Sequence, residues 1–270
     1  MYLELSRPEG DVSRWEKILK RLILLNKHYP MKNPKCNSLN FMRNFEHGYV
    51  KKTASIYTIV KDSLIDQGCV FFGGFAATLY GKYMPKDEKK TLEKNPDFDV
   101  LAIDPERSAI ITKERLESEN IKNVKIFQRD SIGEIIPEHY EIKIANETVA
   151  FIYRPIACHS FNKIKLEHKT VKVATIDTML SFFLAFIYTD RPYYDRERIL
   201  CMAQYLFYVQ SKNRLKQKGL LRRFSISCYG EQDTIADIRA KKSQKYRFLS
   251  KRKHNPKFKK EYEKNFLKYS

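Results

Sequence analysis

Two short motifs, each next to an apolar run, constrain the fold of this chain more than any other feature. Gly73-Gly74 follows the apolar run 69–72 and precedes the helix-forming stretch 75–80. Asp97 and Asp99 stand at the start of a second apolar run. This order predicts a strand, a glycine turn, a helix, and then a strand that opens with two acidic residues.

The chemistry of the two motifs is complementary. On a strand, Asp97 and Asp99 project from the same face about 7 Å apart, and such oxygen ligands suit Mg²⁺ that shares its shell with phosphates. The glycine pair lets backbone N–H groups approach phosphates, and the helix that follows directs its positive end toward them. Alone, an acidic pair is usually a solvated face and Gly-Gly a plain turn. Together and in this order, they indicate a site for metal and nucleotide.

Four segments carry a resemblance to a known family. They are Gly-Gly-Phe-Ala-Ala-Thr-Leu-Tyr (73–80), Asp-Phe-Asp-Val-Leu (97–101), Lys-Val-Ala-Thr-Ile-Asp-Thr-Met-Leu (172–180) and Cys-Tyr-Gly-Glu-Gln-Asp-Thr-Ile-Ala-Asp-Ile-Arg (228–239). Over roughly residues 50–240 the chain resembles the poly(A) polymerase catalytic subunits of large cytoplasmic DNA viruses. The first two segments are shared by all DNA polymerase β-like nucleotidyltransferases, whereas the last two are narrower.

The resemblance implies an enzyme that adds AMP units from ATP to RNA 3′ ends and releases pyrophosphate. Asp97 and Asp99 would bind Mg²⁺ or Mn²⁺, and Gly73 and Gly74 would hold the ATP triphosphate. The implied partners are an RNA 3′ end and either a second copy of the chain or a viral processivity or capping protein. The implied location is the host cytoplasm or the virion.

The third acidic residue of a two-metal site is harder to assign. Cellular poly(A) polymerases carry it on the second strand of a hairpin after the Asp-x-Asp strand, and here that strand, 148–153, contains no acid. Glu141, in Tyr-Glu-Ile-Lys-Ile, is the better candidate, because Glu147 lies at a turn. Glu141 facing Lys143 on an exposed strand is an equally ordinary arrangement. If neither serves, the chain is a non-catalytic subunit that binds RNA or dimerises with an active polymerase.

Two further classes of enzyme fit less well. A nucleotidyltransferase that modifies a protein or small molecule is disfavoured by the strong positive charge. An Asp-x-Asp glycosyltransferase leaves the glycine pair unexplained.

Composition supports a polyanionic partner. The 270 residues include 51 Lys or Arg and 32 Asp or Glu, a formal net charge of +19. With 43% apolar residues the chain is globular, and the charge excess favours nucleic acid, nucleotide or an anionic membrane. Five scattered cysteines without a C-x-x-C pair predict reduced thiols and no zinc site. There is no apolar leader and no run long enough to span a bilayer, so we expect no membrane association.

Periodicity predicts four segments. A helical segment, 1–50, precedes an α/β nucleotidyltransferase core, 51–175, in which helices flank a mixed sheet and 85–95 is a lysine-rich loop. A helical domain, 176–240, follows. The tail 241–270 holds twelve Lys or Arg and six aromatic residues against two Glu. Cations and rings in this mixture suit single-stranded RNA, and a partner-docking helix or a disordered tail is the alternative.

Overall fold

A computed structural model describes residues 1, 5–6, 12–31, 36, 53–83, 97–132, 135–189, 191–231 and 233–266. The strands are β1 Val70–Phe72, β2 Phe98–Leu101, β3 Val124–Arg129, β4 His139–Ile144, β5 Glu147–Tyr153, β6 His159–Leu166, β7 Lys169–Ala174 and β8 Cys228–Tyr229. The α-helices are α1 Trp15–His28, α2 Thr53–Asp66, α3 Gly73–Tyr80, α4 Pro105–Ser118, α5 Ile176–Ile187, α6 Arg196–Lys212, α7 Ile235–Ser250 and α8 Pro256–Asn265. The predicted loop 85–95 lies outside the described residues.

The strands form one sheet in the order β3-β4-β5-β2-β1-β7-β6-β8. Strand β2 pairs antiparallel with β1 and parallel with β5, and β1 also pairs parallel with β7. The sheet is therefore mixed, as predicted, and helices lie on both of its faces. The short central strands β1 and β2 carry the glycine and aspartate motifs.

Alternation along β1 divides the core between the two faces of the sheet. The Phe71 ring packs near Phe98 (6.0 Å between centroids), and Phe98 packs 4.7 Å from Tyr57 of α2. The next residue, Phe72, points to the opposite face and stacks on Phe182 of α5 at 4.7 Å. Helices α2 and α4 thus cover one face, and α5, with α6 packed on it, covers part of the other.

Capping residues in the sequence fix where the helices around the sheet begin. Asp104 Oδ1 accepts a hydrogen bond from the Arg107 N–H at 3.1 Å, and Pro105 follows as the first helical residue. The Thr175 side chain accepts from the Thr178 N–H at the start of α5. A side-chain cap at Asp104 and a proline at the first helical position thus mark the start of α4.

A buried ion pair ties the first turn of α5 to the chain near residue 223. Arg223 Nε lies 2.8 Å from Asp177 Oδ2, and Arg223 Nη2 lies 2.7 Å from Asp177 Oδ1. The Asp177 side chain is 0% exposed and the Arg223 side chain 11%. This two-point contact is charge-assisted, so either residue alone would leave a buried charge without its partner.

Two features depart from the sequence analysis. Strands β6 and β7 form a hairpin that no local motif indicated, with Glu167 at φ +55° in its turn. Two disulfides join Cys36 to Cys201 and Cys158 to Cys228, so the expectation of reduced thiols throughout is wrong for these four. Their sequence separations of 165 and 70 residues left no local signal of pairing. Cys69 is buried and free.

Contacts divide the chain into two compact units, 1–231 and 232–270. The predicted basic tail, 241–270, lies in the second unit, where its described residues form the later part of α7 and all of α8. A capping box between Thr234 and Asp237 begins α7. Among its rings, Phe248 of α7 lies 5.8 Å from Phe258 of α8, centroid to centroid. The aromatic residues therefore hold the two helices together, a use that the sequence analysis did not foresee.

No helix in the described part of the chain is both long and apolar enough to cross a membrane.

Candidate active site

The turn between β1 and α3 brings the backbone against Asp99. Gly73 has φ +78°, a left-handed conformation that glycine adopts without a steric penalty. A Cβ atom on Gly73 would lie 2.0 Å from Asp99 Oδ2 and 2.6 Å from Asp99 Cγ. Only glycine leaves room for the Asp99 carboxylate at the start of α3.

The strand register places Asp97 beside Asp99 on one sheet face. Asp99 pairs with Phe72, the residue immediately before the glycines, and Asp97 precedes β2 by one residue. Both carboxylates and Gly74 line one cavity. The structure thus brings together the four residues Gly73, Gly74, Asp97 and Asp99, as the sequence predicted.

Helices α5 and α6 and the connection between them close this cavity. Arg198 of α6 approaches Asp97, with 3.5 Å between Nη2 and Oδ1. The aromatic wall of the cavity consists of Phe151, Phe183, Phe186, Tyr193 and Tyr194. The cavity volume is 40 Å³, room for a few water molecules and much less than a nucleotide needs. A bound nucleotide would therefore extend beyond this cavity or displace side chains of its wall.

The aromatic wall is rigidly packed. Tyr194 stacks on Phe186 at 4.4 Å, and the Tyr153 and Tyr194 hydroxyls are hydrogen-bonded at 3.0 Å. Burial raises the pKa of Tyr194 far above its ordinary value, and Asp99 is among the charges that add to this effect. Burial also raises the pKa of Tyr153, so both phenols remain neutral at neutral pH.

The acidic pair fits a Mg²⁺ site with two protein carboxylates and does not fit a site with three. Mg²⁺ commonly takes one or two protein carboxylates and completes its shell with water and substrate phosphates, and Asp97 with Asp99 matches that set. Within the described residues, no three or more His, Cys, Asp or Glu side chains are grouped closely enough to hold a metal. A site with three protein carboxylates is not formed there.

The position beside Asp99 on the next strand is hydrophobic. In the parallel pair of β2 and β5, Asp99 is level with Phe151, which is 3% exposed. Phe151 thus stands in the sheet row where an acid on β5 would lie next to Asp99. Its ring lies 5.5 Å from that of Tyr193 and contributes to the cavity wall.

The predicted third acid, Glu141, lies one strand further away. Glu141 is level with Phe151 on β4, so it shares the row and the face of Asp99 but is two strands from it. Its carboxylate contacts Arg129 Nε at 3.0 Å, Lys143 Nζ at 3.3 Å and the Thr148 hydroxyl. The structure does not bring Glu141 together with the aspartates.

Electrostatics agree with this assignment of Glu141 to the ion pairs. Burial by itself raises the pKa of the carboxyl. The hydrogen bonds from Thr148 and Arg129 and the charges of Lys143 and Arg129 outweigh burial, so the pKa of Glu141 is lowered. The alternative interpretation is that Glu141 faces Lys143 on an exposed strand. The contact with Lys143 is present, but the Glu141 side chain is buried, with only 1% exposed.

Sequence reasoning missed Arg198 and the aromatic wall. Except for Phe151, which β5 brings beside Asp99, these residues follow the glycine motif by more than a hundred positions, and the packing of α5 and α6 brings them to the site. One sequence signal points to Arg198: Asp195 precedes an amphipathic stretch and predicts the start of a helix. In the structure the Asp195 side chain accepts a hydrogen bond from the Arg198 N–H, which places Arg198 in the first turn of α6.

Comparison with known proteins supports the fold. No protein-family model and no curated protein matches this sequence. The structure is similar to the crystal structure of the Megavirus polyadenylate synthase, with a TM-score of 0.71 and 15% sequence identity. The match covers 100% of this chain and 58% of that one. The chain thus has the fold of a viral polyadenylate synthase and spans somewhat more than half of that protein's length.

Proposed function

We propose that this chain is a metal-dependent nucleotidyltransferase that adds adenylates from ATP to RNA 3′ ends. The observation that carries the proposal is the contact between the Asp99 carboxylate and Gly73 at the start of α3, with Asp97 on the same face. This geometry joins a carboxylate pair to a phosphate-binding turn. The similarity to a polyadenylate synthase and the net charge of +19 favour RNA as the acceptor.

In this reaction the RNA 3′-hydroxyl oxygen attacks the α-phosphorus of ATP. A phosphodiester bond forms, the bond from the α-phosphorus to the bridging oxygen of the β-phosphate breaks, pyrophosphate leaves, and the hydroxyl proton passes to water. Mg²⁺ or Mn²⁺ held by Asp97 and Asp99 would offset the phosphate charge and lower the pKa of the attacking hydroxyl. Gly73 and Gly74 would let the backbone approach the triphosphate, and Arg198, which lies 3.5 Å from Asp97, would contact its oxygens.

A second candidate is a non-catalytic subunit of the same fold. Two observations favour it: Phe151 occupies the row position beside Asp99, and Arg198 neutralises Asp97. Such a subunit would bind RNA or dimerise with an active polymerase and transfer nothing itself. Phe151→Asp, checked by thermal melting, would raise transfer if the missing acid is what limits the site.

Primer extension distinguishes the two candidates. The full chain is incubated with an RNA primer, Mg²⁺ or Mn²⁺ and each nucleoside triphosphate separately. We expect extension with ATP, and its loss in Asp97→Asn and Asp99→Asn at unchanged melting temperature. Asp104→Asn is the matched control, because Asp104 is exposed beyond the other end of β2 and Asn also caps helices. Extension by both site variants at the parent's rate would refute the proposal, and no extension by the parent would favour the second candidate.

A further inference from the structure

The half of the sheet beyond the aspartates carries an exposed aromatic ring between two cations. Phe127 on β3 is 38% exposed, the Arg129 guanidinium lies 5.5 Å from its ring centroid, and Lys143 Nζ on β4 lies 5.7 Å from it. Phe127 is level with Glu141 in the β3–β4 pair, so it shares the face of Asp99. We call Phe127, Arg129, Lys143 and Arg191 the basic face.

The opposite side of these strands is closed. Ile126 and Ile142, which alternate with the residues of the basic face, point the other way, and Ile142 is 0% exposed where α4 packs on β3 and β4. The side chains of Arg129 and Lys143 are 34% and 28% exposed. The molecule therefore buries one side of β3 and β4 and leaves aromatic and cationic groups accessible on the other.

A cavity of 490 Å³ lies on the basic face. Arg129, Lys143 and Arg191 line it together with Tyr193, and its two carboxylates are Glu141 and Asp130. Lys125, level with Lys143 on β3, adds a fourth cation next to it. The cations outnumber the acids, so the cavity suits an anion. It is also more than ten times larger than the cavity at the aspartates.

Glu141 has a positioning role here. It is 1% exposed beneath the cations and contacts both Arg129 and Lys143. A guanidinium carries five N–H donors, and these contacts engage only the Nε and Nη2 groups of Arg129. The buried carboxylate thus fixes the two cations in place, while further N–H groups of Arg129 can donate to a phosphate.

The basic face adjoins the candidate active site. Glu141 and Asp99 lie in one row two strands apart, a separation of roughly 10 Å at the usual strand spacing. Tyr193 lines both cavities. A few nucleotides of single-stranded RNA span this distance, so a chain ending at the aspartates can reach the basic face along one side of the sheet.

We propose that the basic face binds the nucleotides just upstream of the RNA 3′ end. Phe127 stacks on a base, and Arg129, Lys143 and Arg191 contact phosphates, which is the combination that single-stranded nucleic acid sites use. The inference rests on the proposed function for the choice of RNA and of its 3′ end. The binding itself needs neither metal nor ATP.

The test is therefore equilibrium binding of a fluorescein-labelled 12-nucleotide RNA without metal or nucleotide. Phe127→Leu should raise the Kd about tenfold at an unchanged salt slope, since stacking is removed and the charge is unchanged. Arg129→Gln, Lys143→Gln and Arg191→Gln should each raise the Kd and reduce the log–log salt slope by about 0.7. Arg107→Gln on α4, exposed on the other side of the sheet, removes the same charge and should change neither beyond a small uniform effect.

Separate controls distinguish a loss of folding, a failure of the proposed function and a loss of RNA binding at the basic face. Arg191 is exposed, so Arg191→Gln tests the proposal even if Arg129→Gln destabilises the protein by leaving Glu141 with fewer partners. If the parent fails to extend a primer but the basic-face variants still bind RNA more weakly, the inference stands and the proposed function fails. Variants of Phe127 and Arg191 that bind RNA like Arg107→Gln would overturn the inference.

Discussion

Gly73→Ala should destabilise the protein by an amount that the geometry of the turn specifies. A residue with a Cβ atom at φ +78° costs about 1–2 kcal/mol relative to glycine. The new Cβ would also lie 2.0 Å from Oδ2, 2.6 Å from Cγ and 2.7 Å from Cβ of Asp99, and overpacking of this kind costs about 1–3 kcal/mol. We therefore expect the free energy of unfolding to fall by about 2–5 kcal/mol.

A double-mutant cycle isolates the part of this cost that the Asp99 carboxylate causes. Asp99→Ala removes Oδ2 and Cγ, keeps the Cβ atom at 2.7 Å, and leaves the backbone conformation of residue 73 alone. Urea unfolding of the parent, both single variants and the pair should give a coupling free energy of about 1 kcal/mol or more, with the pair less destabilised than the sum. Because the alanine also displaces the carboxylate, Gly73→Ala should weaken Mn²⁺ binding measured by calorimetry.

Gly219→Ala is the matched control. Gly219 has φ +60°, but its Cβ would meet only the Tyr83 hydroxyl at 3.3 Å, so we expect the backbone contribution alone, about 1–2 kcal/mol. Additive effects of Gly73→Ala and Asp99→Ala, or a cost for Gly73→Ala no larger than that of Gly219→Ala, would show that Asp99 does not lie against this glycine.

Three further predictions concern the rest of the chain. Asp177→Ala or Arg223→Ala should each lower the free energy of unfolding by about 3–5 kcal/mol in urea, and the double variant by less than the two together, because a single change leaves a buried charge unpaired. Hydrogen bonds from Lys169 and Arg115 lower the pKa of Asp66 in the folded protein. Asp66 therefore stabilises the fold above the unfolded pKa of about 3.9, and this stabilisation is lost as the pH falls through the lower folded pKa. The difference in melting temperature between the parent and Asp66→Asn should be largest near neutral pH and vanish in acid. Truncation after Glu231 should leave 1–231 folded. The slope of log K for RNA binding against log salt concentration should become shallower by about 0.7 for each phosphate that the removed segment neutralised. An unchanged slope would show that α7 and α8 do not contact RNA.

The predictable part of this fold is local in sequence. The strand, glycine turn and helix over 70–80 follow from a change of hydrophobic period at Gly73-Gly74, and the hairpin of β4 and β5 follows from two alternating runs around a short polar turn. The helix starts at Asp104 and Thr175 follow from their capping side chains. Each of these depends on residues within a few positions of one another.

The part that could not be predicted depends on pairing between distant segments. Whether Phe151 or Glu141 lies beside Asp99 is decided by the parallel register of β2 and β5, to which no local pattern gives access. Arg198 reaches Asp97 through the packing of α6 on α5 and α3. The sequence shows that 148–153 contains no acid. That this leaves a hydrophobic residue, Phe151, beside Asp99 can be seen only once the order of the strands is known.

The row across the sheet constrains how a metal can bind at the aspartates. For Glu141 to become a metal ligand, its buried carboxylate would have to leave both Arg129 and Lys143 and give up the hydrogen bond from the Thr148 hydroxyl. Phe151 lies between Glu141 and Asp99 and offers no oxygen. Protein groups in the described part of the site therefore supply two carboxylates, one of which Arg198 already contacts.

Phosphate oxygens of a nucleotide would add metal ligands and give Arg198 an alternative anion. We therefore expect Mn²⁺ to bind weakly alone and at least tenfold more tightly with a non-hydrolysable ATP analogue, measured by calorimetry, and equal Mn²⁺ affinity in both conditions would contradict a shared metal shell.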